Sequence, residues 1–352
     1  MVLYGGPFLL LASVPAFFYG LGAAGPLATV MLLLLALIGA EFVSPRGDVI
    51  GRSSTRNFRT LFYVYVPLQL ASVVWATHLA VEVSALGFVA LMLGVGITTG
   101  VFGMLAAHEL VHSRRDGERV LGAVMLSGML YRHFRIAHVH VHHRWAATER
   151  DSATARLGEG FYAFLLRTLA GQFVESWRFE RMRCAGRAFW KSRIVTDIAV
   201  ALVSLAAVAA LWGWKGELFF VAQSFVAITV LELFNYIAHY GLLRVELSSG
   251  RYEPLNDRHS WNSSNVLVNL LIFNMGRHSY HHSKPSISYQ DLQYVATAPE
   301  LPAGYAGSIL MALVPPLWRR VMDPRARHFC EPAPSGETAL REPAVPLVVA
   351  AE

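Results

Sequence analysis

Long apolar runs, separated by shorter arginine-rich stretches, set the organisation of this chain. A run of about 20 apolar residues is long enough for a helix to cross a bilayer. Six such runs occur in three pairs, covering residues 3–22 and 25–43, 60–81 and 85–112, and 194–214 and 217–243. A short turn joins the members of each pair, so the pattern predicts three transmembrane hairpins, within residues 1–43, 60–112 and 194–243.

The remaining residues are more polar. Segments 113–193 and 244–328 contain apolar runs at 120–131, 161–173, 266–275 and 306–318, which are too short or too mixed to span a bilayer. They predict interfacial or buried helices that cap the bundle. Residues 329–352 include several prolines and lack periodicity, which predicts a disordered tail. The expected fold class is therefore all-α integral membrane, with six transmembrane helices and a histidine-rich cytoplasmic cap.

The arginines orient the predicted spans. The loop at 44–59 contains four arginines and one aspartate, and positively charged loops of membrane proteins favour the cytoplasm. With six spans, both termini and the two cap segments then lie on the cytoplasmic side. The start of the chain lacks the basic region of a cleavable signal peptide. We therefore expect an integral protein of a bacterial inner membrane, surrounded by lipid.

Composition agrees with this location and limits the chemistry. The chain is 54% hydrophobic and 15% charged, with a mean hydropathy of +0.41, whereas soluble domains carry roughly 25% charged residues. The net charge of +6 is mostly arginine in the predicted cytoplasmic segments, so topology explains it and no nucleic-acid partner is expected. The two cysteines, Cys184 and Cys330, are too few for a four-cysteine iron site. Any iron–sulfur redox module must belong to another chain.

Histidine clusters carry the strongest functional signal. The sequence contains His108-Glu-Leu-Val-His112, then His138 followed by His142 and His143, a single His239, and His278 followed by His281 and His282. Residues at i and i+4 share one face of a helix, so such pairs can hold one ion, while adjacent His142 and His143 can face different ions. His108 and His239 are also predicted to lie at the same depth in the membrane. Each follows the outer end of its span by about 22 residues, and at about 1.5 Å per residue this places both near the inner boundary of the bilayer.

Nine histidines divided over two ions give four or five nitrogens each. Neutral imidazole suits zinc, copper, iron and nickel, but a structural zinc site takes four ligands. The set favours two iron ions, each with a position left open for dioxygen. The nine predicted ligands are His108, His112, His138, His142, His143, His239, His278, His281 and His282.

Other polar residues near the boxes are candidates to orient these imidazoles. Ligating histidines usually donate their second N–H to a carboxylate or carbonyl. The candidates are Glu109, Asp151, Asn235 and Asp257, with His133 and His140 as further neighbours that support the site or lie at the surface. Separately, the exposed arginines at 114, 115, 178, 181, 183 and 187 are candidates for docking an acidic electron carrier.

Other enzyme and transport classes remain open from the residues alone. His108-Glu-Leu-Val-His112 also fits the H-E-x-x-H pattern of zinc proteases, although three ligands would leave at least six clustered histidines unexplained. An acyl-chain desaturase or an alkene-forming fatty acid decarboxylase would use similar histidines. A metal transporter is disfavoured because transport sites lie near the bilayer midplane.

The boxes resemble the membrane-bound non-haem diiron alkane monooxygenases and the related hydroxylase subunits of xylene monooxygenase, which are themselves related to membrane fatty acid desaturases. The matching stretches are His108–His112, Ala137–His143, Asn235–Leu242 and Arg277–His282, with the linker Arg258–Ser263. The resemblance covers about residues 60–325. It departs at Ala137 and Ala238, where alkane hydroxylases usually have glutamate before the histidine.

The resemblance implies a six-helix bundle whose iron pair, on the cytoplasmic side, uses dioxygen to hydroxylate a terminal methyl group. It also implies electrons from a rubredoxin or a ferredoxin-type iron–sulfur donor with its reductase. Because the two departures and the mixed character of the boxes do not fix the substrate, alkane, alkyl-aromatic and fatty-chain substrates stay open. Such an apolar substrate is expected to enter from the bilayer.

Overall fold

The computed structural model describes residues 4–48 and 59–330. Within these ranges the chain is helical and forms no extended strand, only isolated β-bridges. The first five main helices are α1 (Gly6–Leu21), α2 (Pro26–Val43), α3 (Thr60–Ala80), α4 (Ala85–Val111) and α5 (Asp116–Ser127). The others are α6 (134–145), α7 (Phe161–Arg183), α8 (Arg193–His239), α9 (Val266–Leu271), α10 (His278–Ser283), α11 (Gly304–Ala312) and α12 (Pro315–Cys330). The all-α prediction is confirmed.

Four helices of the described chain are long and apolar enough to cross a membrane: α2, α3, α4 and α8. Helix α1 is also apolar but has only 16 residues. Helix α8 counts once, yet its 47 residues contain a break at Gly213, with φ 64° and ψ −168°. Only glycine adopts this conformation readily. The break lies next to the predicted turn at Trp214, so the sequence pattern and the backbone agree on where this apolar stretch divides.

Helix α4 lies inside the bundle rather than at its edge. In its most apolar window 72% of the residues are buried, against 11% for α8. Glycines allow the close approach between these two helices, because a Cβ atom at Gly100 would lie 2.6 Å from the backbone oxygen of Ala227. The half of α4 that leads to His108 is thereby fixed against α8.

Two π-helical turns interrupt the regular helices. One occupies Thr99–Gly103 within α4, and the other occupies Ala137–His142 within α6. A π turn closes i to i+5 hydrogen bonds and adds one residue to the turn, and such turns are frequent at functional sites. The first turn precedes predicted histidine ligands and the second contains them. Each turn therefore changes the direction in which these side chains point.

Shorter helices pack on the ends of the long ones. Trp318 of α12 is fully buried and its ring lies 5.4 Å from Tyr236 and 5.3 Å from Tyr240. The predicted short apolar runs therefore form helices against the bundle. Helix α12 continues through Cys330, so residues 329 and 330 of the predicted tail are helical, and 331–352 lie outside the described residues, as do 49–58 of the arginine-rich loop.

Candidate metal centre

The nine predicted histidines come together in two groups, within each of which the possible ligand atoms lie within 4.8 Å of one another. The first group contains five: His108, His112, His138, His143 and His281. The second contains four: His142, His239, His278 and His282. The groups adjoin, since the rings of His142 and His143 lie 5.9 Å apart. Adjacent histidines therefore face different groups, as the sequence predicted.

Helix ends supply most of the ligand candidates. His108 and His112 lie one turn apart at the end of α4, with ring centroids 4.9 Å apart. His239 is the last residue of α8, and α10 begins at His278 and carries the other two histidines of its box. Four separate segments thus converge, because the long helices α4 and α8 end beside each other.

The π turn decides how the second box divides. In an α-helix His138 would share a face with His142, four residues on. In the π turn the residue one turn later is the fifth, and the Nε2 atoms of His138 and His143 accordingly lie 3.0 Å apart. His142 points to the other group. The division into five and four residues depends on this local change of helix type.

The nitrogen positions fit a shared ion better than hydrogen bonds. The Nε2 atoms of His112, His138 and His143 lie 3.0, 3.0 and 3.1 Å from one another. Each such atom can either donate or accept, so among three mutually adjacent atoms at least one pair must conflict. Two nitrogens each about 2.1 Å from one ion lie about 3.0 Å apart at right angles and about 3.4 Å apart at the tetrahedral angle. The observed spacings of these three nitrogens are close to the right-angled value.

Buried nitrogens without partners support the same fit. Both ring nitrogens of His108 and the Nε2 atom of His142 are buried and make no hydrogen bond to the described residues. Leaving buried polar atoms unpaired costs free energy, which an ion bound at these atoms would remove. The nine residues therefore fit a pair of metal ions, and their imidazoles would supply the nitrogen donors that an iron pair needs.

Electrostatics keep the imidazoles in the neutral form that binds metals. Burial, reinforced by neighbouring imidazoles, lowers the pKa of His138, His281 and His282 well below its usual value. Burial also lowers the pKa of His278 to about 3. These histidines are therefore uncharged at neutral pH, when their ring nitrogens can donate a lone pair.

Asp151 orients one ligand candidate. Its Oδ2 atom lies 2.8 Å from Nδ1 of His142 and accepts a hydrogen bond from the Thr154 hydroxyl at 2.7 Å, while its Oδ1 atom accepts one from the Ala153 amide at 3.1 Å. The carboxylate is buried. This fixes the ring of His142 with Nε2 directed away from Asp151, in the carboxylate–histidine arrangement common at metal sites.

The other predicted supporting residues have different surroundings. Glu109 accepts a hydrogen bond at 3.0 Å from Arg59. Asn235 donates to Glu232 at 3.1 Å. Asp257 is half-buried and makes no hydrogen bond or ion pair with the residues that the structure describes. No imidazole contact is found for these three within the described ranges, so only Asp151 holds a ligand candidate directly.

His133 and His140 lie outside both groups. His133 packs against Tyr131 and Phe173, with ring centroids 4.5 and 5.4 Å apart. His140 stacks on Phe179 at 4.7 Å and accepts a hydrogen bond from Arg193 at 3.1 Å. They are packed histidines beside the π turn rather than part of the clusters.

An apolar cavity borders both groups. His108 and His138 of the first group and His278 of the second line it. The other lining residues are apolar except Asn235 and Tyr305, and they come mainly from α4 and α8: Gly100, Val101, Met104, Leu105, Phe134, Leu231, Phe234, Ala238 and Met275. The space is suited to a hydrocarbon chain reaching the histidines.

Sequence reasoning missed Glu232, a fully buried carboxylate on α8. Its signal was available, because a charged residue inside an apolar span is rare and usually functional. The six arginines predicted to attract a carrier are all exposed, at 114, 115, 178, 181, 183 and 187. A separate cleft lined by Arg119, Arg132, Arg135 and Arg193 reaches His112. It was not predicted, because its arginines come from distant segments.

Residues 82–310 match the model of the fatty acid desaturase family. The chain is 38% identical over 271 residues to alkane 1-monooxygenase 1 of Pseudomonas aeruginosa, covering 75% of this chain and 71% of that protein. It is 37% identical over 302 residues to the alkane 1-monooxygenase of Ectopseudomonas oleovorans, covering 83% and 75%. It is 28% identical over 231 residues to the xylene/toluene monooxygenase hydroxylase component of Pseudomonas putida, covering 64% and 61%.

The match to the family model, over residues 82–310, includes every histidine box of the chain, whose residues lie between 108 and 282. The family model and the relatives are independent of the geometry, and they confirm the resemblance seen in the boxes. They also favour an oxidoreductase over the zinc protease interpretation, which uses three protein ligands where five histidines meet here. The chain belongs to the fatty acid desaturase family and, within it, to the group of the alkane 1-monooxygenases.

Proposed function

We propose that this protein is a membrane monooxygenase that holds two iron ions in its two histidine groups and hydroxylates a terminal C–H bond of an alkane or alkyl-substituted hydrocarbon. The observation that carries the proposal is the apolar cavity bordered by histidines of both groups. A hydrocarbon lying there has its end beside the ion positions. The names of the alkane 1-monooxygenase relatives support the substrate class.

The ligand set supports iron. Five imidazoles meet in the first group, more than the four ligands of a zinc tetrahedron, and the Nε2 pairs His112–His138 and His143–His281 lie 3.0 and 3.2 Å apart. The iron pair would supply the reduction of dioxygen. The chain's own contribution is to hold nine imidazoles in place, to fix His142 through Asp151, and to exclude water from the reacting end of the hydrocarbon.

Hydroxylation places one oxygen atom in the C–H bond and releases the other as water, so it consumes two electrons and two protons. A rubredoxin or ferredoxin-type donor with its reductase would supply the electrons, since the only cysteine whose side chain the structure describes, Cys184, is buried and unpaired. The exposed arginines between 114 and 187 offer a surface of opposite charge to an acidic carrier.

The proposed membrane arrangement has six spans. It counts α1 as a short span and divides α8 at Gly213 into 193–212 and 214–239. Both termini and the histidine groups then lie on the cytoplasmic side of a bacterial inner membrane. The arginine-rich segments support this orientation, and it places the ion positions where a cytoplasmic carrier reaches them.

Product analysis tests the proposal. The purified protein, loaded with iron and given a reductant and labelled dioxygen, is incubated with alkanes, alkylbenzenes and fatty acids. Gain of one labelled oxygen atom is the expected result. The matched family model favours a second candidate, acyl-chain desaturation, for which the product would lose two hydrogens and gain no oxygen. Metal analysis yielding one zinc per chain would contradict both.

A further inference from the structure

Glu232 is a buried carboxylate that no cation neutralises among the described residues. It is fully buried on α8, yet its partners are neutral donors from four side chains. The Oε1 atom accepts hydrogen bonds from Tyr131 at 3.0 Å and Gln172 at 2.8 Å, while Oε2 accepts from Thr168 at 3.2 Å and Asn235 at 3.1 Å. Burying a carboxylate without an opposite charge costs free energy. A residue retained despite this cost is a candidate for a functional role.

Only one of the four donors lines the apolar cavity, and it is Asn235. Its amide NH₂ group donates to Glu232, and a carboxylate accepts but does not donate. The amide orientation is therefore fixed, with the carbonyl oxygen on the side away from Glu232. That oxygen makes no hydrogen bond with the described residues and is not fully enclosed.

The position of Asn235 relates it to the ion positions. It lies four residues before His239, hence one turn away on the same face of α8, and His108, His138 and His278 line the same cavity. Apart from these histidines and Tyr305, the lining is apolar. A hydrocarbon has no polar hydrogen to offer the Asn235 oxygen. The alcohol formed from it has one, on the newly attached oxygen.

We propose that Asn235 accepts a hydrogen bond from the hydroxyl group of the alcohol product, and that Glu232 is a positioning residue that holds the Asn235 amide for this contact. The inference rests on the proposed function, because it takes a terminal alcohol as the product. The cavity then distinguishes product from substrate through a single polar contact. The alcohol is held with its hydroxyl end toward the histidines and competes with the next hydrocarbon.

The direct test compares two isomers that differ in one hydrogen-bond donor. 1-Octanol can donate to Asn235, whereas 1-methoxyheptane has the same atoms but no O–H group. Dissociation constants are measured with the iron-loaded protein in lipid nanodiscs. A neutral hydrogen bond contributes roughly 0.5–1.5 kcal/mol, so the wild type should prefer the alcohol by about two- to thirteen-fold beyond the lipid partition. Partition into lipid is the same for every variant, so the ratio of the two constants is compared between variants.

Asn235→Leu should reduce this preference to about that of the lipid partition alone. Glu232→Gln should reduce it as well, because a glutamine amide can also donate and no longer fixes the orientation of Asn235. Thr168→Val is the matched control: it removes one donor to Glu232 but leaves the contact between Glu232 and Asn235, so the preference should persist.

An unchanged preference in Asn235→Leu would overturn the proposal. Loss of preference in Asn235→Leu but not in Glu232→Gln would overturn the positioning role of Glu232. Failure of the Asn235 proposal can be told apart from failure of the proposed function. A wild-type enzyme that hydroxylates hydrocarbons but binds both isomers alike contradicts only the Asn235 contact, whereas absence of hydroxylation contradicts the proposed function itself.

Discussion

His138 and His143 are five positions apart in the sequence, yet their Nε2 atoms lie 3.0 Å apart. The π turn at Ala137–His142 produces this contact. Its backbone hydrogen bonds join residues five apart rather than four, so residues five apart lie on the same side of the turn. The intervening His142 is thereby directed to the second group, where its ring lies 4.8 Å from that of His239. A single inserted residue in the turn accounts for how one box contributes histidines to both groups.

Removing one histidine from either group should release iron and abolish turnover. We expect His142→Ala and His281→Ala each to lower the iron content below two per chain, because a buried ion site loses a ligand. Iron is measured on purified protein together with hydroxylation. The matched control is His140→Ala, which alters the same π turn outside both groups and should keep its iron. Full activity in His142→Ala or His281→Ala would contradict the assignment.

Asp151→Asn should weaken iron binding without removing a ligand. The amide cannot hold the His142 imidazole as a carboxylate does, and loss of such a partner typically lowers metal affinity or activity by about 10- to 100-fold. Competition with a chelator gives the affinity. Asp257→Asn makes the same chemical change at a carboxylate that contacts no histidine among the described residues, so it should bind iron like the wild type. Equal effects of the two substitutions would argue against orientation by Asp151.

Cavity size should set the longest accepted hydrocarbon. Leu231 lines the cavity on α8, two turns before His239, so it lies away from the ion positions. Leu231→Phe should shorten the preferred chain, and Leu231→Ala should lengthen it while costing about 2–5 kcal/mol of stability. Relative kcat/KM across an alkane series is the measurement. Leu218→Phe, on an exposed part of the same helix, should leave the chain-length preference unchanged. A changed preference in Leu218→Phe would argue against a steric effect of the cavity lining.

Electron delivery should depend on ionic strength if the exposed arginines receive an acidic carrier. Screening lengths fall to about 8 Å at 0.15 M salt, so donor-driven turnover should slow as salt rises. Turnover driven by a small uncharged reductant should not. Arg178→Glu with Arg181→Glu, both exposed on α7, should reduce the salt dependence. A donor-driven rate that does not respond to salt would remove the docking hypothesis.

The six-span arrangement can be mapped by labelling single cysteines. In a background with Cys184 and Cys330 replaced, we expect Glu82→Cys and Lys215→Cys to react with a membrane-impermeant reagent from outside the cell. Arg187→Cys should react only after the membrane is opened. All three positions are exposed, so burial does not confound the result. Labelling of Lys215→Cys only from inside would contradict the division of α8 at Gly213.

Several elements were readable from local sequence alone. The apolar runs predicted helices α2, α3 and α4. The turn predicted between the runs 194–214 and 217–243 lies next to Gly213, where the backbone of α8 breaks. The histidine spacings identified nine residues that the structure gathers into two groups. These predictions succeeded because hydropathy acts locally and because the spacing of histidines within each box is itself a local pattern.

What the sequence by itself determined is the class of molecule: an apolar helical protein with a histidine-rich centre. Only the tertiary structure decided how the histidines divide, which carboxylate supports them, and that Asn235, hydrogen-bonded to Glu232, lines the cavity. The physical reason is that these features depend on how separate parts of the chain pack. The 3.2 Å between His143 and His281 joins two distant segments, and the 2.8 Å between His142 and Asp151 joins a helix to the loop that follows it. Helix packing and one π turn set those distances, and neither leaves a local pattern of hydrophobic and polar residues.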